Sequence, residues 1–334
     1  MSDFSFSRIW PLLAITLLLV ALAALSKLAG GSMPQVLTEM MIKIMMVVGV
    51  YIFVGNSGVL SFGHVGFVAI GAYAAAWFTC CTLPMVKPLY VPGLPLLLQE
   101  NNYPFVAGLL SAVVVSGAVA AAVGVLIVRL SGIAASIATF AFLAIVFAVY
   151  SNWESVTGGT ASISNIPVDV GPWMATFGAV GSVLVAFLFQ SSRYGLMLRA
   201  SRDEIVASRS CGVRVGYSRF AAWILSAVVA GAGGAFYSSY IGILSVDTFY
   251  LPLTFLVLAM LIVGGLQSVS GAVVGAVLLT AVTEFLRLLE NGNAFVQLPK
   301  GLQEVGLGIV MILILVLRPK GIMNGKEFNF RFGF

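Results

Sequence analysis

The side chains able to do chemistry in this sequence are few, and most stand inside apolar runs. There is one histidine, His64, and the other ionisable groups within long hydrocarbon stretches are Lys43, Glu284 and Arg287. A charge in a low-dielectric phase is costly, so each such group needs a partner or a function. Glu284 and Arg287 are three residues apart and can pair on one helical face. Lys43 can extend its stem toward an interface. His64 follows Gly55-Asn56-Ser57-Gly58 and Ser61, so its ring can satisfy a freed carbonyl or can meet solute and pathway water. A single histidine leaves no His-rich metal site, and the sequence contains no HExxH, CxxC or GxSxG pattern, so no metal centre and no catalytic cluster is expected. Gly325-Lys326 is followed by Glu327, not by the hydroxyl residue of a P-loop, and its glycine spacing is wrong. No cofactor is expected on this chain.

A second concentration of polar groups lies at 193–219. Arg193, Arg199, Arg202, Arg209, Arg214 and Arg219 are opposed there only by Asp203 and Glu204, in a protein that is 60% hydrophobic and 9% charged. Ile205, Val206, Cys211 and Val213 among the arginines make the stretch amphipathic enough to lie across a groove on a partner; the alternative is a solvated surface helix.

These residues must be positioned by membrane helices. A mean hydropathy of +1.07 leaves too little polar surface for a soluble domain of 334 residues. The expected fold is therefore an all-α polytopic membrane protein. The net charge of +5 sits at the ends of apolar segments and not in an aromatic-interleaved patch, which argues against nucleic acid. Ten apolar runs of membrane length are legible, at 9–28, 36–54, 58–80, 104–128, 133–151, 172–191, 220–241, 252–265, 270–289 and 302–317. The first is read as a retained span, because no small-residue cleavage site follows it. Threading the ten alternately, with both termini cytoplasmic, brings twelve of the 17 basic residues to the cytoplasmic side, as the positive-inside rule requires. The three cysteines, Cys80, Cys81 and Cys211, offer no disulfide framework and read as small packing residues.

Two helices look interrupted by glycine, one around Gly55–Gly58 and one around Gly264-Gly265-Leu266-Gln267. Open backbone at membrane depth is tolerated only inside protein or along a wet cavity, so paired breaks point to a translocation path. Asn56, Ser57, Ser61, His64, Gly264, Gly265 and Gln267 are the candidate path residues. Close helix packing is the other reading of these glycines, with Gly71, Gly117, Gly231 and Gly275 as further candidates.

Four blocks then resemble a known family. GNSGVLSFGHVGFVAIGAYAAA at 55–76, LRASRDEIVASRSCGV at 198–213, FAAWILSAVVAGAGGAFY at 220–237 and LIVGGLQSVSGAVVGAVLL at 261–279 are similar, in this order, to the LivM-type permease subunit of branched-chain amino acid ABC importers. The resemblance implies a single permease domain over 1–334, a cytoplasmic coupling loop at 193–219 and a cytoplasmic tail at 318–334. It implies residence in the bacterial inner membrane, a second LivH-type permease, two cytoplasmic ATPases that bind the ATP, and a periplasmic solute-binding protein. The ATPase-docking residues implied are Arg199, Arg202, Glu204, Ile205, Val206, Arg209 and Gly212. The loop departs from the Glu-Ala-Ala-xxx-Gly pattern of such importers, since Val206, Ala207 and Ser208 precede Gly212 and the acid is displaced to Glu204. Relatives of this type also serve urea, short amides and aromatic acids. An ion-coupled transporter, the competing class, would need midplane carboxylates, of which the sequence offers only Glu284.

Overall fold

The computed structural model describes residues 3–29, 31–81, 86–290 and 302–328. Among them the chain is helical, with a lone antiparallel bridge between Ile163 and Leu244. The helices are α1 (Asp3–Ala29), α2 (Met33–Ser57), α3 (His64–Thr79), the short α4 (Lys87–Tyr90) and α5 (Leu96–Glu100), α6 (Phe105–Ile127), α7 (Ile133–Asn152), the short α8 (Glu154–Thr157), α9 (Pro172–Ser191), α10 (Arg193–Asp203), α11 (Ile205–Ser210), α12 (Val215–Ile241), α13 (Leu251–Gly264), α14 (Val269–Glu290) and α15 (Leu302–Leu317). Seven helical stretches are long and apolar enough to cross a membrane, and three shorter apolar ones lie at Trp10–Leu25, His64–Thr79 and Val305–Leu317. The protein is a multi-pass membrane protein.

Helices in lipid gain little from burying hydrocarbon against hydrocarbon, so close backbone approach must hold them together. The sequence supplies it. Along α6 the buried positions are Phe105, Gly108, Ala112, Ser116, Ala120, Gly124 and Ile127, a stripe dominated by small residues, while Val106, Leu110 and Val114 face outward. The centre of the bundle is α3 and α12, with α2 and α6 against them. A Cβ on Gly71 would collide with the Gly231 backbone, and one on Gly234 with the Val68 carbonyl. A Cβ on Gly49 would come within 2.9 Å of the Ala230 amide nitrogen. Gly264 and Gly275 likewise bring α13 and α14 together. Gly117 faces only the Val228 side chain, at 3.2 Å, so its role in packing is weaker.

Two expectations need correction. The run 58–80 is not one helix: the helical backbone of α2 continues through Gly55, Asn56 and Ser57, and α3 starts only at His64. The second break likewise separates α13 from α14, so each break joins two helices and does not interrupt one. Apolar residues run across both breaks, and only the left-handed φ of Gly58 (72°) and the φ of 122° at Gly265 mark where the chain turns. Cys80 and Cys81 are bonded to each other and both are buried, whereas Cys211 is free and exposed.

The two ends of the bundle differ. One gathers the connections 58–63, 128–132, 192–214 and 265–268 with the tail through Phe328. The other gathers 31–35, 86–104, 152–171 and 242–250, tied by Ile163 N–H to the Leu244 carbonyl (2.9 Å), Trp77 Nε1–H to the Val156 carbonyl (2.9 Å) and the Tyr240 hydroxyl to the Gln35 carbonyl (3.0 Å).

Candidate functional site

At the basic end, the first connection carries four of the predicted path residues. Asn56, Ser57, Ser61 and His64 are all buried. Asn56 Nδ2 donates to the Ile52 carbonyl at 3.0 Å, and its Oδ1 has no partner among the described residues. Ser57 Oγ accepts from Val59 N–H at 3.2 Å, closing the turn that follows α2. His64 Nδ1 and Ser61 Oγ are 2.7 Å apart. The imidazole stands among Phe53, Phe67 and Trp223, with ring centroids 5.5, 6.1 and 5.0 Å away, and Nε2 has no partner among the described residues. All four are thus buried at or beside the turn between α2 and α3, with the His64 ring inside the aromatic cluster. A buried acceptor and a buried ring nitrogen without partners are costly, and each can be satisfied by a small polar molecule.

The other three predicted residues stand at the second connection, whose Leu266 carbonyl lies against Gly55. Gly264 packs on Gly271, and Gly265 ends α13. Gln267 is exposed, with its carbonyl 3.4 Å from the Tyr51 hydroxyl. The tail covers this break: Ile322 N–H donates to the Val263 carbonyl (2.9 Å) and Met323 N–H to the Gly264 carbonyl (3.1 Å). Glu327 then places its carboxylate on the first turn of α14, accepting from Val269 N–H (2.9 Å), Ser270 N–H (3.0 Å) and the Ser270 hydroxyl. An acidic group is favoured there, where helix amides lack acceptors and the helix dipole is positive. Gln190 Nε2 reaches the same carboxylate at 3.1 Å, and Tyr51 donates to Gln190 Oε1 at 2.9 Å. Nothing in the sequence spacing singled out Glu327; the turn residues Gly321, Asn324 and Gly325, all at positive φ, were the one local sign that the tail folds back.

The basic stretch folds as two helices, α10 and α11, bent apart at Glu204, whose extended backbone (φ −150°) separates them. Ser192 caps α10, its Oγ accepting from Gly195 N–H at 3.3 Å. Three of the arginines turn inward. Arg199 donates to the Gln190 carbonyl (2.7 Å), Arg202 to the Gly55 carbonyl (3.0 Å) and Arg219 to the Leu130 carbonyl (3.2 Å). The last carbonyls of a helix have no partner in that helix, and a cationic side chain satisfies them well. The basic stretch is thereby fastened to the ends of α9 and α2 and to the connection after α6.

Residues 32–315 match the family of permease components of branched-chain amino acid transport systems. The chain belongs to this permease family. It is 27% identical to the high-affinity branched-chain amino acid transport system permease protein LivM of Salmonella typhimurium, and equally to LivM of Escherichia coli K12, each over 93% of this chain and 74% of the relative. It is 24% identical to the autoinducer 2 import system permease protein LsrC of Escherichia coli over 58% of this chain and 57% of that protein.

On this permease, the docking residues read from the sequence divide into two sets. Arg199 and Arg202 hold the membrane helices, while Ile205, Val206 and Arg209 line a groove of about 810 Å³ with Arg129, Tyr217 and Phe220. Val206 is 72% exposed. Glu204 and Gly212 are exposed beside the groove, and Gly212 has φ 81° with open space around its Cα. Ser201, by contrast, is buried against its own helix, so a labelling reagent should be aimed at Cys211 and not at Ser201.

Proposed function

We propose that this permease is the membrane-spanning subunit of an ATP-driven importer for branched-chain amino acids or a related small solute, resident in the bacterial inner membrane. It pairs with a second LivH-type permease and receives solute from a periplasmic binding protein. Two ATPases bind and hydrolyse the ATP and dock on the basic stretch. All ten apolar helices cross the bilayer, and the basic end with both termini is cytoplasmic. The similarity to proteins named for branched-chain amino acid transport supports the solute class, and LsrC, named for autoinducer 2 import, is the reason for including related solutes.

One observation carries the coupling part of this reading. The segment whose half-buried Ile205 and exposed Val206 line the groove is the same segment whose Arg199 and Arg202 grip the ends of α9 and α2. A partner that moves α11 therefore pulls on the carbonyl of Gly55, next to Asn56 and Ser57. Apolar anchors dominate docking energy, whereas an exposed ion pair contributes about 0–1 kcal/mol. Ile205→Asp should still insert and pair with the second permease, yet fail to co-purify with the ATPases and fail in ATP-driven uptake. Wild-type co-purification together with wild-type uptake would remove α11 as the docking surface.

Asn56, Ser57, Ser61 and His64, with Gly264, Gly265 and Gln267 beyond them, line or support the solute path at the cytoplasmic end. Ser57→Ala or His64→Ala should lower uptake while leaving ATPase binding intact; unchanged uptake in both returns these residues to packing. Labelling of Cys211 by a membrane-impermeant thiol reagent only after the cytoplasmic face is opened checks the orientation.

A further inference from the structure

Away from the basic end, charge gathers around Lys43, Glu284 and Arg287, the ionisable groups that the sequence places inside apolar runs. Lys43 pairs with Glu39, one turn earlier on its own helix, at 2.7 Å, its side chain only 11% exposed. Glu284 pairs with Arg287 at 3.0 Å, as their spacing predicts. These two pairs, one on α2 and one on α14, face a single cavity of about 570 Å³ between α2, α12, α13, α14 and α15. The cavity belongs to the end of the bundle away from the basic stretch: it is lined by the first half of α2, the start of α13 and the last turns of α14.

Three features give this cavity the chemistry of a binding site. Its volume falls in the range of small-molecule pockets, roughly 300–1,000 Å³. Its fixed charges balance, two cationic and two anionic, so a net charge on the ligand gains nothing while separated opposite charges gain at both ends. Each ion pair is closed within its own helix and leaves further ammonium and guanidinium donors and carboxylate lone pairs for a guest. Thr280 supplies the independent sign: it is 4% exposed, it lines the cavity, and its hydroxyl has no partner among the described residues. Met46, Leu253 and Leu256 complete an apolar wall.

We propose that this cavity is a receiving site for a zwitterionic amino acid with an apolar side chain. Lys43 and Arg287 meet the carboxylate, Glu39 and Glu284 the ammonium, the Thr280 hydroxyl bonds the polar end, and the apolar wall takes the side chain. The inference rests on the importer reading for its direction of travel, since the cavity lies toward the end where solute would arrive.

The test uses the complete importer, with both permeases, the ATPases and the binding protein, in proteoliposomes. A Thr280→Cys variant in which Cys211 is replaced by serine is labelled with a small thiol reagent in the presence of leucine, of 4-methylpentanoate, which lacks the ammonium, or of isopentylamine, which lacks the carboxylate. Leucine should slow labelling and the two half-ligands should not. Equal labelling in all three overturns the proposal, whatever the uptake assay gives. Thr280→Val should lower leucine uptake at limiting solute about ten-fold, the scale of one hydrogen bond to a charged group. The exchange Glu39→Lys with Lys43→Glu keeps an ion pair on α2 and reverses its order, so it should insert normally and still lose uptake. Normal uptake in both variants sinks the site alone, whereas a wild-type importer that takes up leucine without ATP sinks the importer reading and leaves the protection result to decide the site.

Discussion

The two glycine-marked connections at the basic end share a sequence pattern and differ in what closes them. The first, 58–63 between α2 and α3, is closed by other segments of the basic end and by α7: Arg202 holds the Gly55 carbonyl, Ser136 Oγ donates to the Leu60 carbonyl at 2.7 Å, and Phe62 N–H donates to Thr139 Oγ1 at 3.2 Å. The second, 265–268 between α13 and α14, is closed by the tail, through two backbone bonds and the Glu327 carboxylate. The glycines in both mark only where the backbone opens. What covers the opening decides its use, and here one opening is tied to the basic segment that carries Ile205 and Val206 while the other is covered by the segment through Phe328.

This contrast can be broken at either connection. The largest effect is expected at Arg202→Met, which leaves the Gly55 carbonyl without its cationic donor; a hydrogen bond to a charged group is worth about 1.5–3 kcal/mol. ATPase co-purification should persist and uptake per ATP hydrolysed should fall steeply, measured in proteoliposomes. Next comes Gly265→Ala. At φ 122° and ψ 118° an L-residue is strained, at a cost of about 1–3 kcal/mol. Thermal unfolding in detergent should report a larger loss than for Gly58→Ala, whose φ of 72° is the milder left-handed region. Gly58→Ala should instead disturb coupling, because its Cβ meets the Arg202 side chain.

Glu327→Gln sharpens the other side of the comparison. The amide keeps the shape and loses the charge on the first turn of α14, so the Val269 and Ser270 amides should exchange hydrogen about ten-fold faster, the equivalent of about 1.4 kcal/mol. Uptake should change less than in Arg202→Met. Equal uptake losses in the two variants would mean that both connections serve coupling alike.

The smallest expected effect lies at the opposite end, in the connection after α3. Lys87 is buried, with Nζ donating to the Asn101 carbonyl at 3.2 Å, and burial pushes its ammonium down to about 8 from 10.5. The folded loop therefore holds its proton less tightly than the unfolded chain does. Its stability should rise as pH increases from about 8 toward 10.5 and should be lowest, and flat, below that window. Limited proteolysis of residues 86–103 should slow between about pH 7.5 and about pH 9.5, and Lys87→Met should abolish the dependence.

Much of this fold was legible in the sequence for local reasons. Each of the ten apolar runs falls on a helix, because hydrocarbon side chains, glycines and charged punctuation act on the backbone beside them. The pairing of Glu284 with Arg287 followed from a spacing of three. The start of α3 was misjudged because Val59 and Leu60 look helical, and only the conformation of Gly58 ends α2. Glu39, four residues before Lys43, was not weighed as its partner, although that spacing allows the pair.

By itself, then, the sequence determined the class of protein, the approximate helices, the basic segment and the family, all of which depend on composition or on neighbours within a few residues. The tertiary structure alone decided that Arg202 meets Gly55, that Glu327 meets Val269, and that the ion pairs of α2 and α14 share a cavity. Those partners are far apart in the chain, and what joins them is the close approach of helices at glycines and small residues, which fixes register across the bundle and leaves no periodic trace in the sequence.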